Sequence, residues 1–409
     1  MAASSSMPNA IERAAPIEAA AKAPAGRVPL LAFVADSPSE AAIVECAGQL
    51  SINNFRVLRG GIGKAIQHLD AERSPAILIV DISDADLPVS RVHELAEVCE
   101  PAVTVVAVGN SNDVALYRDL IGAGITEYIV KPVTPQLLVR ALAGRPERGG
   151  AAISQKLGKL VACVGARGGV GTTTVAVGLA WHLANQQNRR IALLDLDLQH
   201  GACALALNMR PTPGLREALV NPSRIDPVFI ERVTAMNGER LAVLSCEEPL
   251  RDDIQFTAEA VQTAVAVLRA QSHYVIVDVP RIPGAPYRWA LDAADFRVIV
   301  ADQSLHAGRD AARLKTDLAA DAAEHRNLLV VNRGGEGGRH AISLKEMQQV
   351  LELRPNVVVP YEPAAFVKAI NTGQPPGAGR GRFAEAMSVL TREISGRSAQ
   401  RRGWWRSRR

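Results

Sequence analysis

The apolar positions of this chain fall into short runs, each closed by a polar or turn residue, with longer mixed stretches between them. Leu30 to Ala35 ends at Asp36, Ala76 to Val80 at Asp81, Val103 to Val108 at Gly109, and Glu127 to Val130 at Lys131 and Pro132. Short, nearly continuous apolar runs bounded by turn residues are the pattern of strands buried on both faces of a parallel sheet. Helical stretches lie between them, giving a repeated β-α pattern about as long as one small α/β domain. The pattern resumes further on. Leu160 to Val164 runs into a glycine-rich turn, Val175 to Ala184 is apolar, Ala-rich and helical, and Ile191 to Gln199 and Tyr274 to Pro280 read as buried strands. The chain is predicted to be α/β, in two domains.

The glycine-rich turn reads Gly165-Ala166-Arg167-Gly168-Gly169-Val170-Gly171-Thr172-Thr173-Thr174. Strand, glycine loop and helix N-terminus are the context of a phosphate-binding loop. Glycines at 168, 169 and 171 allow backbone conformations closed to other residues, so successive N–H groups converge on a polyphosphate at the positive end of the helix dipole. Thr173 is placed to offer its hydroxyl to Mg²⁺ and Thr174 to reach a phosphate oxygen. In the pattern G-x-x-x-x-G-K-[ST], Ala166 takes the place of the first glycine and Thr172 that of the lysine. Such a turn alone also fits a loop that binds nothing. The strand ends favour the phosphate reading: one run ends in Asp195-Leu196-Asp197-Leu198-Gln199 and another in Asp278. In a parallel sheet, carboxylates at the C-terminal ends of strands share an edge with the loop, where Mg²⁺ (Thr173, Asp195, Asp278) and an attacking water (Asp197) would sit.

Together these residues resemble the deviant-Walker ATPases of the MinD/ParA superfamily, from about Lys159 to Ile394. The resemblance implies a mostly parallel sheet, ATP with Mg²⁺ as cofactors in preference to GTP, and a nucleotide cradle of Arg167, Gly168, Gly169, Val170, Gly171, Thr172, Thr173 and Thr174. It also implies that Asn332 and Arg333, in Leu329-Val330-Val331-Asn332-Arg333, recognise adenine, and that Pro360, in Val359-Pro360-Tyr361, lines the base. Arg167 stands where the family's signature lysine reaches across a nucleotide-sandwiched homodimer, and a guanidinium fork suits that task. Thr172 removes the charge that would lie on the transferring phosphate, so hydrolysis is expected to be weak or absent.

The first domain looks like a flavodoxin-like response-regulator receiver. Asp81 falls at the phospho-acceptor position, Lys131 with Pro132 at the receiver's lysine, and Asp36 at one of its Mg²⁺-holding acids. Ser37 stands where a second acid is usual and Gly109 where a hydroxyl is usual, which points to a docking or dimerisation module rather than a phosphorylated switch. A degenerate receiver fused to a lysine-less MinD-like domain resembles the CpaE/TadZ family of Flp (tight-adherence) type IV pilus assembly proteins, over about Arg27 to Ile394. Val106 to Leu120, Gly124 with Tyr128 to Pro132, and Asp195 to Leu207 are especially similar. The resemblance implies a localisation and assembly factor that is cytoplasmic and peripheral to the inner membrane, in some cases polar. Its implied partners are a second copy, the secretion ATPase and inner-membrane platform proteins, with no specific nucleic acid. The other reading is a positioning or partition ATPase cycling on DNA or membrane.

Composition agrees with a globular chain: 409 residues, 48% hydrophobic and 22% charged. No apolar run approaches the ~18 residues that span a bilayer. The five cysteines lie far apart without C-x-x-C spacing and read as reduced core thiols, and the eight histidines show no metal-ligand spacing. The expected organisation is a disordered tail over 1–28, the receiver-like domain over 29–143, a linker over 144–158, the nucleotide domain over 159–396 and a basic tail over 397–409. Net charge is only +4. Its excess gathers in Arg397 to Arg409 around Trp404 and Trp405, a composition suited to an anionic membrane surface, a partner, or a solvated tail.

Overall fold

A computed structural model of the protein describes residues 28–143, 157–318, 326–351, 354–379 and 381–395. The expected N-terminal tail except Val28, the linker except residues 157 and 158, and the basic tail lie outside these residues. The chain divides into two compact units.

The first contains β1 (Leu30–Val34), α1 (Ser37–Gln49), β2 (Phe55–Arg59), α2 (Ile62–Ala71), β3 (Ile77–Asp81), α3 (Pro88–Val98), β4 (Thr104–Gly109), α4 (Val114–Gly122), β5 (Glu127–Val130) and α5 (Pro135–Ala143). Its five strands pair in parallel in the order β2-β1-β3-β4-β5. Helices start where side chains satisfy free N–H groups: Asp36 accepts from the Ser39 N–H at 2.8 Å, and Asp113 from the Ala115 N–H at 2.7 Å. Because β1 has β2 on one side and β3 on the other, the sheet changes direction between β1 and β3, and ligands collect outside the strand ends at such a point. Asp36 and Asp81 sit there.

The second unit begins with β6 (Lys159–Gly165), α6 (Thr172–Gln186), β7 (Ile191–Asp195), α7 (Cys203–Ala206), α8 (Gly214–Val220), α9 (Pro227–Val233), β8 (Ala235–Asn237) and β9 (Leu241–Leu244). It continues with α10 (Ala258–Gln271), β10 (Tyr274–Val279), α11 (Ala285–Asp292), β11 (Phe296–Ala301), α12 (Leu305–Asp317), β12 (Arg326–Gly334), α13 (Leu344–Leu351), β13 (Val357–Pro360), α14 (Pro363–Asn371) and α15 (Arg382–Ser395). The eight strands run β13-β12-β11-β6-β10-β7-β9-β8, all parallel except the β8–β9 pair.

Alternation along β6 divides the core. Leu160, Ala162 and Val164 face the layer of α8 to α12, while Val161 and Cys163 face α6 and α15. Each Val, Leu or Ile buried this way contributes about 1.5–3 kcal/mol relative to its exposed state. α15 comes close to α6 at Gly178, where a Cβ would stand 2.6 Å from the Phe383 ring. All five cysteines are buried. The run Ile191 to Gln199 is shorter as a strand than its apolar pattern suggests. The Asp195 carboxylate accepts the N–H of Asp197 at 3.1 Å, and the chain turns away from the sheet there.

Candidate nucleotide site

β6 lies centrally, between β11 and β10, and its C-terminal end feeds the glycine loop at the switch point of the sheet. The Ala166 N–H donates to the Val300 carbonyl at 2.8 Å, continuing the β6–β11 ladder into the loop. Gly169 and Gly171 have φ of +80° and +87°, the left-handed region that a side chain disfavours. Val170 is buried beneath the loop, and its carbonyl accepts from Asn332 Nδ2 at 2.7 Å. Asn332, expected at the adenine, therefore also anchors the loop to the end of β12. Thr172, Thr173 and Thr174 form the first turn of α6. The Thr172 hydroxyl lies over Gly165, 2.5 Å from where a Cβ at 165 would stand, so it folds back on the start of the loop.

Strand register brings the carboxylates together. Asp278 pairs with Asp195 across β10 and β7 and with Cys163 across β10 and β6, so the two acids are lateral neighbours at the C-terminal edge. Thr173 Oγ1 donates to Asp278 Oδ2 at 2.6 Å. The Cys203 N–H donates to Asp195 Oδ2 at 3.2 Å, and its Sγ lies 3.8 Å from Asp278 Oδ2. Asp195 is 1% and Asp278 6% exposed, and among the described residues neither has an ion-pair partner. Burial, with the neighbouring Asp195 charge second, pushes Asp278 up to about 7, and burial pushes Asp195 up to about 6. A hydroxyl and two buried, uncompensated carboxylates at a helix N-terminus are the hard oxygen donors that suit Mg²⁺. Asp197 stands further out, half-buried, and accepts the His200 N–H at 2.9 Å.

Arg167 is half-buried on the loop and has no ion-pair partner among the described residues. Arg333 takes a φ of +55° at the end of β12, with Nη1 3.7 Å from Glu336. Pro360 closes β13 opposite Gly334, and the Tyr361 N–H donates to the Gly334 carbonyl at 3.1 Å, so the two predicted base-contacting segments meet at one edge. Sequence reasoning missed Cys203 as a neighbour of the carboxylates, and Gly201, whose Cα packs against Asp195 and the Asp197 carbonyl with no room for a side chain. The only signal for either was their place in the segment Asp195 to Leu207.

In the first unit, Lys131 Nζ bridges Asp81 Oδ2 at 2.7 Å and Asp36 Oδ2 at 2.6 Å. Asp81 also accepts the N–H groups of Ala35 (3.1 Å) and Ser83 (3.0 Å). The three predicted pocket residues thus form one closed cluster. Gly109 leaves space that Tyr128 fills. The Tyr128 hydroxyl, donating to the Ser111 carbonyl at 2.9 Å, would lie 2.5 Å from a Cβ at 109. Gly109→Thr should therefore destabilise the unit by about 1–3 kcal/mol through overpacking. Amide exchange that stays unchanged in β4 and β5 of this variant would show that Tyr128 moves aside freely.

Residues 158–323 match the family model of the AAA domain. The septum site-determining protein MinD of Helicobacter pylori is 24% identical over 255 residues, 59% of this chain and 92% of that protein. A ParA family ATPase from Chlorobium tepidum shares the fold at a TM-score of 0.53 and 18% identity, over 58% of this chain and 98% of that one. The pilus assembly protein CpaE of Caulobacter crescentus is 32% identical over 29% of this chain and 92% of that one, with a TM-score of 0.28. The second unit thus carries a P-loop domain of the MinD/ParA-like type.

Proposed function

We propose that the second unit binds ATP with Mg²⁺, and that the whole chain is a localisation and assembly factor of the CpaE/TadZ type for Flp pili. The observation that carries the nucleotide reading is the convergence of Thr173, Asp278 and Asp195 beside a loop whose glycines take left-handed conformations. Bound there, Mg²⁺ would neutralise phosphate charge. The protein's own part is to hold the phosphates on the loop N–H groups, with Asn332, Arg333 and Pro360 framing the base. Asp197, half-buried two residues beyond Asp195, is the group that would orient a water in this reading. Thr172 brings no positive charge, so turnover is weak and nucleotide serves as an assembly signal. This favours an organiser over an ATPase that cycles on DNA or membrane.

The pilus reading is supported by the fusion of a receiver-like unit, its acids closed on Lys131, to a lysine-less P-loop unit. In this reading the first unit is the docking face that brings the chain to the inner-membrane platform, in some cells at a pole. The basic tail would add salt-sensitive attraction to the membrane. Arg167 reaches the partner's phosphates in a nucleotide-sandwiched homodimer. Sedimentation tests this: ATP should shift wild type from monomer toward dimer, and Arg167→Ala should weaken that dimer at least tenfold while weakening ATP binding much less. An equilibrium insensitive to ATP in both proteins would remove dimerisation from the account.

A further inference from the structure

We propose that Cys203 makes the metal position beside the phosphate loop thiophilic: a borderline or soft divalent cation such as Zn²⁺, Co²⁺ or Cd²⁺ is taken by Asp195, Cys203 and Asp278 together, in competition with Mg²⁺. The proposal rests on reading this position as the cation site of the nucleotide pocket.

Asp195, Cys203 and Asp278 are all buried, and each brings a ligand atom within 4.8 Å of the other two. Bonds of about 2.3 Å to sulfur and about 2.0–2.2 Å to oxygen in a tetrahedral site put sulfur and oxygen about 3.5 Å apart. Cys203 Sγ and Asp278 Oδ2 stand at 3.8 Å, close to that spacing before any ion arrives. Asp195 is held to the same point, because its Oδ2 accepts the Cys203 N–H at 3.2 Å. Thiol and carboxylate thus come from one short segment, closed on itself at Gly201, where a side chain would collide with Asp195. An independent observation points to a cation: two buried carboxylates lie side by side, and no Lys, Arg or His among the described residues pairs with either.

The two classes of ion use the site differently. Mg²⁺ takes oxygen ligands and is held largely through substrate phosphates, so it leaves the thiol protonated. A thiophilic ion forms a bond to sulfur as the S–H bond breaks, and the proton leaves to solvent: M²⁺ and R–SH give (M–S–R)⁺ and H⁺, with no change of oxidation state. Three protein donors hold such an ion without nucleotide. An ion seated there occupies Asp278 and Asp195 and displaces Mg²⁺ from both, making nucleotide binding sensitive to traces of zinc or cadmium.

The test uses full-length protein without nucleotide. Titration with Co²⁺ should produce a near-ultraviolet thiolate-to-cobalt absorption that saturates at one ion per chain and is lost in both Cys203→Ser and Cys203→Ala. By calorimetry, Cys203→Ser should lower the ratio of Cd²⁺ to Mg²⁺ affinity at least tenfold. No thiolate band in wild type, or a band of equal strength in both variants, would overturn the proposal, and the wild-type spectrum decides even if a variant fails to fold. ATP binding is measured separately. A Cys203-dependent cobalt band in a protein that does not bind ATP would sink the nucleotide reading and leave the metal site standing.

Discussion

Asp278→Asn should make the cation-free protein more stable at pH 8 while abolishing Mg²⁺-dependent nucleotide binding. In the wild type, burial first and the Asp195 charge second raise Asp278 from 3.8 to about 7, and burial raises Asp195 to about 6. A carboxyl whose folded pKa lies above its unfolded value contributes stability that is fully present below about 4 and is lost as pH rises through about 7. At pH 8 both groups are ionised in the folded protein at the full cost. Asparagine removes one charge and lowers the cost of the other, and its side-chain carbonyl can still accept the Thr173 hydroxyl. The expected gain is on the order of 2–4 kcal/mol, since one unit of pKa is about 1.4 kcal/mol. For a unit of this size that is roughly 4–16 °C in melting temperature. The advantage should shrink between pH 7 and 4, where the wild type takes up protons. His182, buried and held below 6.5 by desolvation, acts in the opposite sense, costing stability as pH falls below 6.5. It is common to both proteins and cancels in their difference. An Asp278→Asn protein that melts below wild type at pH 8 would mean that the two acids do not strain the fold.

Lys131→Met should be the most damaging single change in the first unit. Burial raises the carboxylates of Asp36 and Asp81. Lys131 and the surrounding N–H donors outweigh it, bringing Asp36 down to about 2 and holding Asp81 below its ordinary value. Desolvation disfavours the Lys131 ammonium, but the two carboxylates more than compensate and raise its pKa. Removing the ammonium leaves Asp81, 1% exposed, as an uncompensated buried charge, at a cost of about 3–5 kcal/mol. In the wild type, the stability supplied by the lowered carboxyls is present above about 4 and is lost as pH falls through about 2. In the variant the same acids are raised, so its deficit should narrow as pH drops from 7 to 4. Adding Asp81→Asn should recover more than half of the loss. Amide exchange along β3 in the full chain reads this unit alone. Equal protection in wild type and Lys131→Met at pH 7 would show that the cluster is only a surface ion pair.

What the sequence made legible, and what it hid, follows from how local each signal is. The glycine loop, Thr173 and the strand-end Asp195 and Asp278 were readable because loop chemistry and strand ends are encoded within a few residues. That the two acids are lateral neighbours depends on β7 lying next to β10, which no stretch of sequence states. β2 leaves no continuous apolar run in the sequence because Phe-Arg-Val-Leu-Arg is an edge strand, half-buried and interrupted by charge. The apolar pattern of Ile191 to Gln199 outruns the strand because it continues past the point where the Asp195 carboxylate turns the chain. Cys203 was invisible as a site residue, since only that turn returns it to Asp278. The sequence shows Gly109 only as a missing hydroxyl; that Tyr128 fills its place is a packing fact between β4 and β5.

The most direct test of the central claim is calorimetric titration of the full-length protein with ATP, in excess Mg²⁺ and again in chelator. Thr173→Val and Asp278→Asn proteins serve as comparisons. The account predicts saturable binding of ATP at one site per chain, weakened at least tenfold by the chelator, with Mg²⁺ conferring no gain on either variant. Absence of binding at millimolar ATP in Mg²⁺, or binding that neither the chelator nor the variants alter, would contradict it.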